Sequence, residues 1–423
     1  MKINIFWFRR DLRLNDNTGL NSALKSGLPV LPIFIFDSNI LDELENNDPR
    51  VQFIHQSLKG IQQELVKAGK SLRIFHGNPQ EVWKQILSEY EVNSVFANKD
   101  YEPYATERDR QVQLFLSESY IEFQVFKDQV IFEKSEIVKA DGLPYTVYTP
   151  YKNKWLSSIK PDSFKTENPS FDNLVNEIHD WPELADIGFT SSPIQVLPPS
   201  MSSLSDYGAT RDYPAQDSTS KLGPHLRFGT VSVREMARIA QKTNQVFLSE
   251  LIWREFFMQI LFHFPHVVSQ SFRSKYDDIK WRNNEEEFEK WCQGQTGYPI
   301  VDAGMRELNA TGYMHNRVRM ITASFLVKHL LIDWRWGEAY FAQKLLDYDL
   351  ASNNGNWQWV AGTGCDAAPY FRIFNPWEQT KKFDGQLEYI NKWVPEVNEL
   401  DYPVPIVDHK MARERTLAAY KNL

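Results

Sequence analysis

Residues 312–376 form the part of this chain whose side chains are best suited to chemistry. The segment mixes aromatic rings with guanidinium, carboxylate and amide groups: Trp334, Trp336, Trp357, Trp359, Tyr313, Tyr370 and Phe371 with Arg317, Arg319, Asp347, Asp349, Asn353 and Asn354. Aromatic faces stack on flat ligands and bases, while Arg and Asn side chains hold the polar edges of such groups. We interpret the segment as the wall of a site for a large flat cofactor that opens onto a nucleic-acid surface.

A second candidate is the stretch around Trp253. Glu250, Trp253 and Arg254 fall on one face of a predicted helix. Such a face could stack a base on the indole and hold its polar edges with the carboxylate. The alternative is an amphipathic helix with a core tryptophan and solvated charges.

Residues 218–225 suit a phosphate group. The segment reads STSKLGPH, which combines hydroxyls, a lysine and a Gly-Pro break before a predicted helix. Hydroxyls and backbone N–H groups at a helix start suit a diphosphate. The alternative is a simple cap and turn, for which Ser and Thr are also favoured.

Two further clusters are polar. Asn316 and Arg317 begin a predicted helix, which suits an anionic or amide-bearing ligand; the alternative is a plain first turn with surface charge. Asp347 and Asp349 precede Asn353 at a spacing that fails the EF-hand pattern, so we expect them to bond N–H or O–H groups of a ligand, or to form a polar turn.

The histidines lack metal-site spacing and Gly-x-Ser-x-Gly is absent, so neither a metal site nor hydrolysis is predicted.

Strand and helix signals alternate over residues 1–133. The strand candidates are residues 3–8, 30–37, 71–76, 94–97 and 122–126, and the helical candidates between them are residues 51–67, 80–90 and 107–118. Alternation of this kind predicts a parallel sheet with helices on both faces. Neither G-x-G-x-x-G nor a Walker A sequence follows a strand, so a standard dinucleotide or triphosphate site is not expected there.

The second half of the chain is helical in pattern. Residues 160–216 are rich in Ser, Pro, Asp and Asn and are typical of a connection between domains. Apolar residues then recur at helical spacing in residues 248–262, 303–308, 316–331 and 337–346. Trp281, Trp334 and Trp357 lie in three separate predicted helical segments, where core packing is the default for any single tryptophan.

Size and composition indicate a globular protein of two domains. The chain has 423 residues, 42% hydrophobic and 24% charged, and it is rich in aromatic residues at 14%, with 13 Trp. Cys292 and Cys365 are the only cysteines, which excludes a disulfide framework and fits the cytoplasm. The net charge of −8 argues weakly against nucleic-acid binding, although a local basic groove can exist on an acidic protein. No apolar run is long enough to span a membrane.

Taken together, these segments resemble the DNA photolyase/cryptochrome family over essentially the whole chain. The resemblance is strongest in residues 207–379 and 400–407, and residues 7–17 (WFRRDLRLNDN) match the N-terminal signature of the family. It implies an α/β N-terminal domain, a doubly wound parallel sheet over residues 1–133 that holds an antenna chromophore. A connector over residues 134–215 would follow, and residues 216–423 would form an all-α C-terminal FAD-binding domain that also binds DNA.

The resemblance also implies which residues bind a U-shaped FAD. Those matching the family's FAD site, with the phosphates first and the flavin ring and ribityl chain last, are Tyr207, Thr219, Ser220, Lys221, Leu222, Gly223, Phe247, Glu250, Arg254, Asn316, Arg319, Asp347, Asp349 and Asn353. Asn353 matches the position that faces flavin N5. Gly223 stands where the commoner pattern has Ser, and Phe247 stands where some members carry Trp.

Within the family the chain looks most like class I photolyases of cyclobutane pyrimidine dimers. The residues matching the lesion pocket and the DNA groove are Arg211, Glu250, Trp253, Arg254, Asn316, Arg317, Met320, Trp359 and Gln379. Glu250, Asn316 and Asn353 would take part in catalysis. Trp357, Trp334 and Trp281 match the electron-transfer chain of the family from flavin to surface. The (6-4) photolyases carry a His-His pair where this chain has His315 and Asn316, which disfavours that specificity.

The implied activity is that of a deoxyribodipyrimidine photo-lyase, in which excited FADH⁻ gives an electron to a dimer flipped out of the DNA. The expected partner is DNA that contains such dimers, bound by a cytoplasmic monomer without metal or membrane. The antenna chromophore stays open between methenyltetrahydrofolate, a deazaflavin, FMN and none, because Tyr104 and Ala105 replace the Asn-Glu of one folate-binding pattern. The alternatives are a cryptochrome-type blue-light photoreceptor and a non-enzymatic flavin- or nucleic-acid-binding module.

Overall fold

The computed structural model describes residues 2–421, which form two compact units. One unit comprises Met1–Glu136, Ser158–Pro199 and Lys221–Lys242, and the other comprises Ile137–Ser157, Ser200–Ser220 and Thr243–Leu423. Both units are therefore assembled from separate stretches of chain. The domain boundaries expected at residues 133 and 215 stay predictions.

A five-stranded parallel sheet forms the centre of the first unit. Its strands are β1 (Ile3–Phe8), β2 (Val30–Asp37), β3 (Arg73–Gly77), β4 (Val92–Asn98) and β5 (Glu122–Phe126), in the spatial order β3-β2-β1-β4-β5. The reversal of strand order at β1 is that of a doubly wound sheet. The predicted fold class, this sheet followed by a helical C-terminal region, is confirmed.

Eighteen α-helices occur in the described residues. In chain order they are α1 (Thr18–Leu24), α2 (Ser38–Leu41), α3 (Pro49–Lys67), α4 (Pro79–Glu89), α5 (Pro103–Glu118), α6 (Tyr148–Ser158), α7 (Tyr207–Thr210), α8 (Leu222–Phe228), α9 (Val233–Thr243), α10 (Gln245–His263), α11 (Glu285–Cys292), α12 (Pro299–Thr311), α13 (Asn316–Ser324), α14 (Trp334–Lys344), α15 (Leu350–Ala361), α16 (Pro376–Phe383), α17 (Glu388–Trp393) and α18 (His409–Lys421). None of the helices within residues 2–421 combines the length and apolar content needed to cross a membrane.

Alternation along the central strands builds two cores. Successive side chains of a strand point to opposite faces, so Phe6 and Phe8 enter one core while Ile5 and Trp7 enter the other. Every residue of β1 and β2 is buried, which explains why both strands are apolar except for Asn4 and the terminal Asp37. The flanking helices start earlier than their apolar periodicity indicates. At α3 the Asp48 side chain caps the Arg50 N–H and a proline follows at the first helical position.

Buried ion pairs explain the charged N-terminal signature. Arg13 Nη2 lies 2.7 Å from Asp128 Oδ2, and Arg234 on α9 lies 2.8 Å from Asp128 Oδ1 and pairs with Asp16. Burial alone would raise the pKa of Asp128, but the two arginines lower it to about 2. The signature therefore connects α9 to the edge of the sheet within this unit.

The helix predicted over residues 316–331 changes type midway. Helix α13 ends at Ser324 and continues as a π-helix, Phe325–Leu330, which Leu331 closes with a left-handed φ of 54°. Carbonyl groups at the end of a helix lack partners within it. Here the hydroxyl of Thr416 on α18 donates to Lys328 O, and Arg415 donates to His329 O. The C-terminal helix therefore satisfies this terminus.

Lys328 is almost fully buried beneath α18, and its ammonium lies 3.8 Å from the centre of the Tyr420 ring. Burial lowers the pKa of Lys328 from 10.5 to about 7. Between these values the unfolded chain binds a proton that the folded chain does not, so the contribution of Lys328 to stability is complete above pH 10.5 and is lost as the pH falls towards 7.

Lys328→Met is therefore expected to raise the free energy of unfolding at pH 7, on the order of a few kcal/mol, with a gain that shrinks towards pH 10. The carbonyl of Ala361, to which Lys328 donates, keeps its bond from the Tyr420 hydroxyl. Urea unfolding at both pH values would measure the gain. Lys290→Met, at an exposed lysine, is the control. An equal gain at both pH values would contradict the assignment.

Candidate functional site

Close helix packing brings α10, α14 and α15 together in the second unit. Two glycines allow it. A Cβ at Gly355 would lie 2.1 Å from Cδ1 of Phe257 on α10, and a Cβ at Gly337 would lie 2.1 Å from Cη2 of Trp357. Because even a methyl group would collide, these positions require glycine. The three helices carry Phe247, Glu250, Trp253 and Arg254 (α10), Trp334 (α14), and Asn353, Trp357 and Trp359 (α15) of the residues predicted for the site.

Arg319 and Asp347, two of the residues predicted for the flavin site, form an ion pair. Arg319 Nη2 lies 2.9 Å from Asp347 Oδ2, and its Nε donates to Met314 O. The second carboxylate oxygen, Oδ1, is buried and has no hydrogen-bond partner among residues 2–421. An unsatisfied buried oxygen is costly, so this atom is suited to accept a hydrogen bond from a bound ligand.

Asp349 and Asn353 lie one turn apart at the start of α15. The Asp349 side chain accepts from Ser352 N at 3.0 Å and so caps the helix, which realises the polar-turn alternative for this residue. Asn353 Nδ2 donates to Glu338 Oε1 at 2.9 Å and to the Glu338 carbonyl at 3.1 Å. Burial raises the pKa of Glu338. Glu338 was not predicted from the sequence, although it lies four residues after Trp334 and hence on the same helical face.

Another group of predicted residues meets where α7 faces α10. The Tyr207 ring contacts Phe247 edge-on at 5.1 Å, and the Arg211 guanidinium lies 5.4 Å from the Tyr207 ring centre. Arg211 also pairs with Glu250. Burial raises the pKa of Tyr207 to about 12. A predicted phosphate-binding cation and a predicted lesion-binding carboxylate are thus direct partners here. Arg254, one turn after Glu250, is half-buried.

The predicted diphosphate segment adopts an unusual helix start. Thr219 and Ser220 precede α8 in irregular backbone, and Lys221 is the N-cap with a left-handed φ of 55° and no side-chain cap. The simple capping alternative is therefore not realised at this helix. Leu222 and Gly223 lie in its first turn. The boundary between the two units falls between Ser220 and Lys221, so the structure does not bring this segment into one described cluster.

Trp253 lies between two other rings. Tyr148 stacks on its indole at 3.5 Å with planes 8° apart, and Phe257 lies 5.3 Å away at 28°. The indole remains half-buried rather than fully covered. The expected apolar wall is present, but Tyr148 covers one of its faces and Phe257 packs against it; the surface of the indole that these rings leave exposed is its rim.

The remaining residues predicted to contact DNA lie on α13, α15 and α16. Arg317 Nη2 pairs with Asp212 Oδ1 at 2.7 Å, and its guanidinium lies 4.3 Å from the Phe383 ring centre. Its Nη1 also lies 3.7 Å from Met320 Sδ. Gln379 precedes Phe383 by one turn of α16, so it lies on the same side of that helix. Asn316 is exposed at the first position of α13. Trp359 is half-buried, and the Arg372 guanidinium lies 5.8 Å from its ring centre.

Two of the three tryptophans of the predicted electron-transfer chain lie inside one hydrophobic core of the second unit, and the third packs against that core. Trp334 and Trp357 are buried in it, and Trp281 packs against it partly exposed. The prediction that Trp281 lies in a helix is wrong. Asn283 adopts a left-handed φ of 47° and Asn284 caps α11, so the helix begins only after Trp281.

Trp291 is a further buried tryptophan that was not predicted from the sequence. This residue is fully buried, and its ring centre lies 6.2 Å from that of Trp357. Its indole N–H donates to Thr322 O at 3.1 Å. The sequence of α11 gave no signal that Trp291 would approach Trp357, because the contact joins two helices that are far apart in the chain.

In the first unit, Tyr104, one of the two residues that depart from the folate-binding pattern, contacts Asp37 and Arg108. The Tyr104 hydroxyl donates to Asp37 Oδ2 at 2.6 Å. The Arg108 guanidinium lies 4.9 Å from the Trp7 ring centre and 5.9 Å from that of Tyr104. Tyr104 is therefore part of a polar and aromatic cluster beyond the carboxyl ends of β1 and β2, where parallel sheets bind ligands. The identity of an antenna chromophore stays open.

The groups in the second unit fit a flavin. Asp347 offers a buried carboxylate acceptor, Arg319 a guanidinium, and Asn353 an amide whose orientation is held by Glu338. A flavin presents N–H donors, carbonyl acceptors and ribityl hydroxyls, which this set of donors and acceptors can match. No group of three or more potential ligands for a metal occurs among the described residues.

Comparison with known families agrees with this chemistry. Residues 247–401 match a family model described as the FAD binding domain of DNA photolyase, and residues 4–170 match one described as DNA photolyase. FAD, predicted from the sequence, is thereby confirmed as the cofactor of the matched domain. The two matched regions cover the sheet and the helices α10 to α17.

Similarity to individual proteins extends over the whole chain. The chain is 36% identical over 467 residues to a deoxyribodipyrimidine photo-lyase from a Synechococcus species, with 99% of this chain and 96% of that protein covered. A bacterial class III photolyase from Agrobacterium tumefaciens superposes with a TM-score of 0.88 at 34% identity, covering 100% of this chain and 98% of that one. An archaeal photolyase from Sulfolobus tokodaii, solved with two FAD molecules, gives a TM-score of 0.88 at 38% identity, with both chains fully covered.

Proposed function

The chain belongs to the DNA photolyase family, as its sequence motifs indicated, and from that premise we propose that it catalyses the light-driven repair of cyclobutane pyrimidine dimers in DNA. One observation carries the proposal. Three helices that pack together each hold one residue suited to flavin and one suited to DNA: Phe247 and Trp253 on α10, Arg319 and Arg317 on α13, and Asn353 and Trp359 on α15. The two ligands would thus meet on a shared scaffold.

The chain would act mainly by binding and orientation. Reduced FAD, when bound and excited by light, supplies the electron that splits the dimer. Asp347 would accept a hydrogen bond at its buried Oδ1, and Arg319 would keep that carboxylate in place. Glu338 would hold the Asn353 amide towards the ring. These positions are set by packing before any ligand arrives, which reduces the entropic cost of binding.

The lesion would be reached by base flipping, a step that photolyases as a class use. A dimer stacks poorly in the duplex, so its extrusion costs less than that of an intact pair, and part of the selectivity follows from this difference. The rim of Trp253 and the half-buried Trp359 would receive the apolar body of the dimer. Glu250 and Asn316 would bond its polar edges, and Arg317 with Gln379 would hold phosphates without reading the sequence.

A repair assay tests the proposal. Oligonucleotides with one thymine dimer are incubated with flavin-loaded protein under blue light or in the dark, and restored thymines are quantified. We expect restoration only in the light. Purified protein that carries flavin and responds to light without restoring thymines would instead support a cryptochrome-type photoreceptor. Protein that binds no flavin would favour a simple binding module.

Salt dependence tests the proposed phosphate contacts. Because each neutralised phosphate releases counterions, the affinity for dimer-containing duplex DNA should fall steeply with salt. Arg317→Ala should reduce the slope of log K against log salt by about 0.9 if this side chain neutralises one phosphate. Lys290→Ala, an exposed lysine paired within α11, is the matched control and should leave the slope unchanged. Equal slopes for all three proteins would remove Arg317 from the DNA groove.

Further features carried over from the family resemblance belong to the same proposal. They are the class I subgroup, the domain limits 1–133, 134–215 and 216–423, an antenna chromophore in the α/β domain, and a cytoplasmic monomer. The Tyr104–Asp37 cluster supports a ligand other than one that needs Asn-Glu at residues 104 and 105.

A further inference from the structure

Tyr148 lies in the segment that the sequence predicts to be a connector, yet it belongs to the compact helical unit. It is the first residue of α6 and only 7% exposed. Its ring stacks on Trp253 with the ring centres 3.5 Å apart and the planes 8° apart, which is a close and nearly parallel contact. A buried ring in this arrangement restricts the indole to one orientation.

Two polar contacts fix Tyr148 itself. Its hydroxyl donates to Ser249 O on α10 at 2.7 Å. Its backbone N–H donates to Asp366 Oδ2 at 3.0 Å, in the loop that follows α15. The Phe256 ring contacts it edge-on at 5.8 Å. Tyr148 is therefore anchored to α10 and to that loop, and its position does not depend on Trp253 alone.

Trp253 is held differently. Among residues 2–421, its indole is not seen to form a hydrogen bond, and its ring neighbours are Tyr148, Phe256 and Phe257. Phe257 lies on the same helix, so it moves with Trp253. Tyr148 is the partner from outside α10 that stacks face to face with the indole, and it decides which side of the indole faces the site.

We propose that Tyr148 is a positioning residue for the dimer: by covering one face of Trp253, it holds the indole rim towards the extruded pyrimidines. The connector thus contributes to damage recognition through Tyr148, which is not among the predicted site residues. This inference rests on the proposed repair function. It assigns selectivity for damaged over intact DNA, rather than general DNA affinity, to a residue that would not touch the DNA.

The test is equilibrium binding in the dark to a labelled oligonucleotide with one thymine dimer and to its undamaged counterpart. Tyr148→Ala should weaken binding to damaged DNA by about 3- to 10-fold, the range of one lost aromatic pair, and leave undamaged DNA unaffected. Tyr148→Phe keeps the ring and should bind as the unaltered protein does. In a Trp253→Ala background, Tyr148→Ala should add no further loss, because its effect acts through the indole.

Flavin absorbance and the thermal midpoint of each variant show whether the fold is kept. Should Tyr148→Ala fail to fold, Tyr148→Leu fills a similar volume without a planar ring and carries the same expectation. Unchanged selectivity in the folded variant, an equal loss for both DNAs, or additive losses in the double variant would each overturn the inference. If the unaltered protein itself does not prefer damaged DNA, the repair function fails instead, so the two failures are distinguishable.

Discussion

Replacing Trp357 with phenylalanine is expected to block the light-driven reduction of oxidised flavin while leaving dark binding of damaged DNA intact. Trp357 is 2% exposed and lies in one core with Trp334, against which Trp281 packs. Its position on α15, one turn after Asn353, makes it the member of the proposed chain nearest to the flavin residues. Phenylalanine fills most of the volume but is much harder to oxidise than an indole, so electron transfer to the surface would stop.

The measurement is the flavin absorbance of oxidised protein under blue light with an external reductant. Trp291→Phe is the matched control, because Trp291 is equally buried and its ring centre lies 6.2 Å from that of Trp357, but it is outside the proposed chain. The control should still photoreduce. Repair by Trp357→Phe that has been reduced chemically beforehand should also persist. Photoreduction at the normal rate in Trp357→Phe would show that the chain is assigned wrongly.

The second large effect is expected from Asp347→Asn, which should weaken FAD binding by about 10- to 100-fold, the range of a lost hydrogen bond to a charged group. The carboxylate pairs with Arg319 through Oδ2 and presents a buried Oδ1. An amide of the same shape can accept at only one of these places, and its NH₂ group would face a donor at the other. Either Arg319 or the ligand therefore loses its acceptor.

Equilibrium titration of the apoprotein with FAD measures this loss. Asp277→Asn is the control, because Asp277 also pairs with an arginine, Arg335, at 3.1 Å but on an element without predicted flavin residues. Its FAD affinity should not change. Unaltered FAD affinity in Asp347→Asn would remove this carboxylate from the flavin site and leave its buried oxygen without an explanation.

The sequence was most informative where the signal is local. The apolar runs that form β1 and β2 and the Asp-Pro start of α3 depend on residues within a few positions of each other. Period, capping and turn chemistry act over that range, so the sheet and longer helices such as α3, α5 and α10 could be predicted. The family motifs are also short stretches of neighbouring residues, so they identified the family, and with it the flavin, from the sequence alone.

Errors arose where local signals compete. Residues 316–331 show helical spacing throughout, yet the backbone changes from α to π after Ser324. Side chains of α18 donate hydrogen bonds to the carbonyl groups at the end of this π-helix. Trp281 was assigned to a helix because apolar spacing does not reveal the left-handed Asn283 that delays it. In both cases a partner or a backbone conformation outside the apolar pattern decided the result.

By itself, the sequence determined the elements, the family and the kinds of side chain that gather in the helical half of the chain. Only the tertiary structure decided which of them touch: Tyr148 on Trp253, Glu338 on Asn353, and Arg211 on Glu250. The physical reason is that these pairs are chosen by how close the helices pack. That closeness depends on glycines such as Gly337 and Gly355, whose effect appears only when the opposing ring is known.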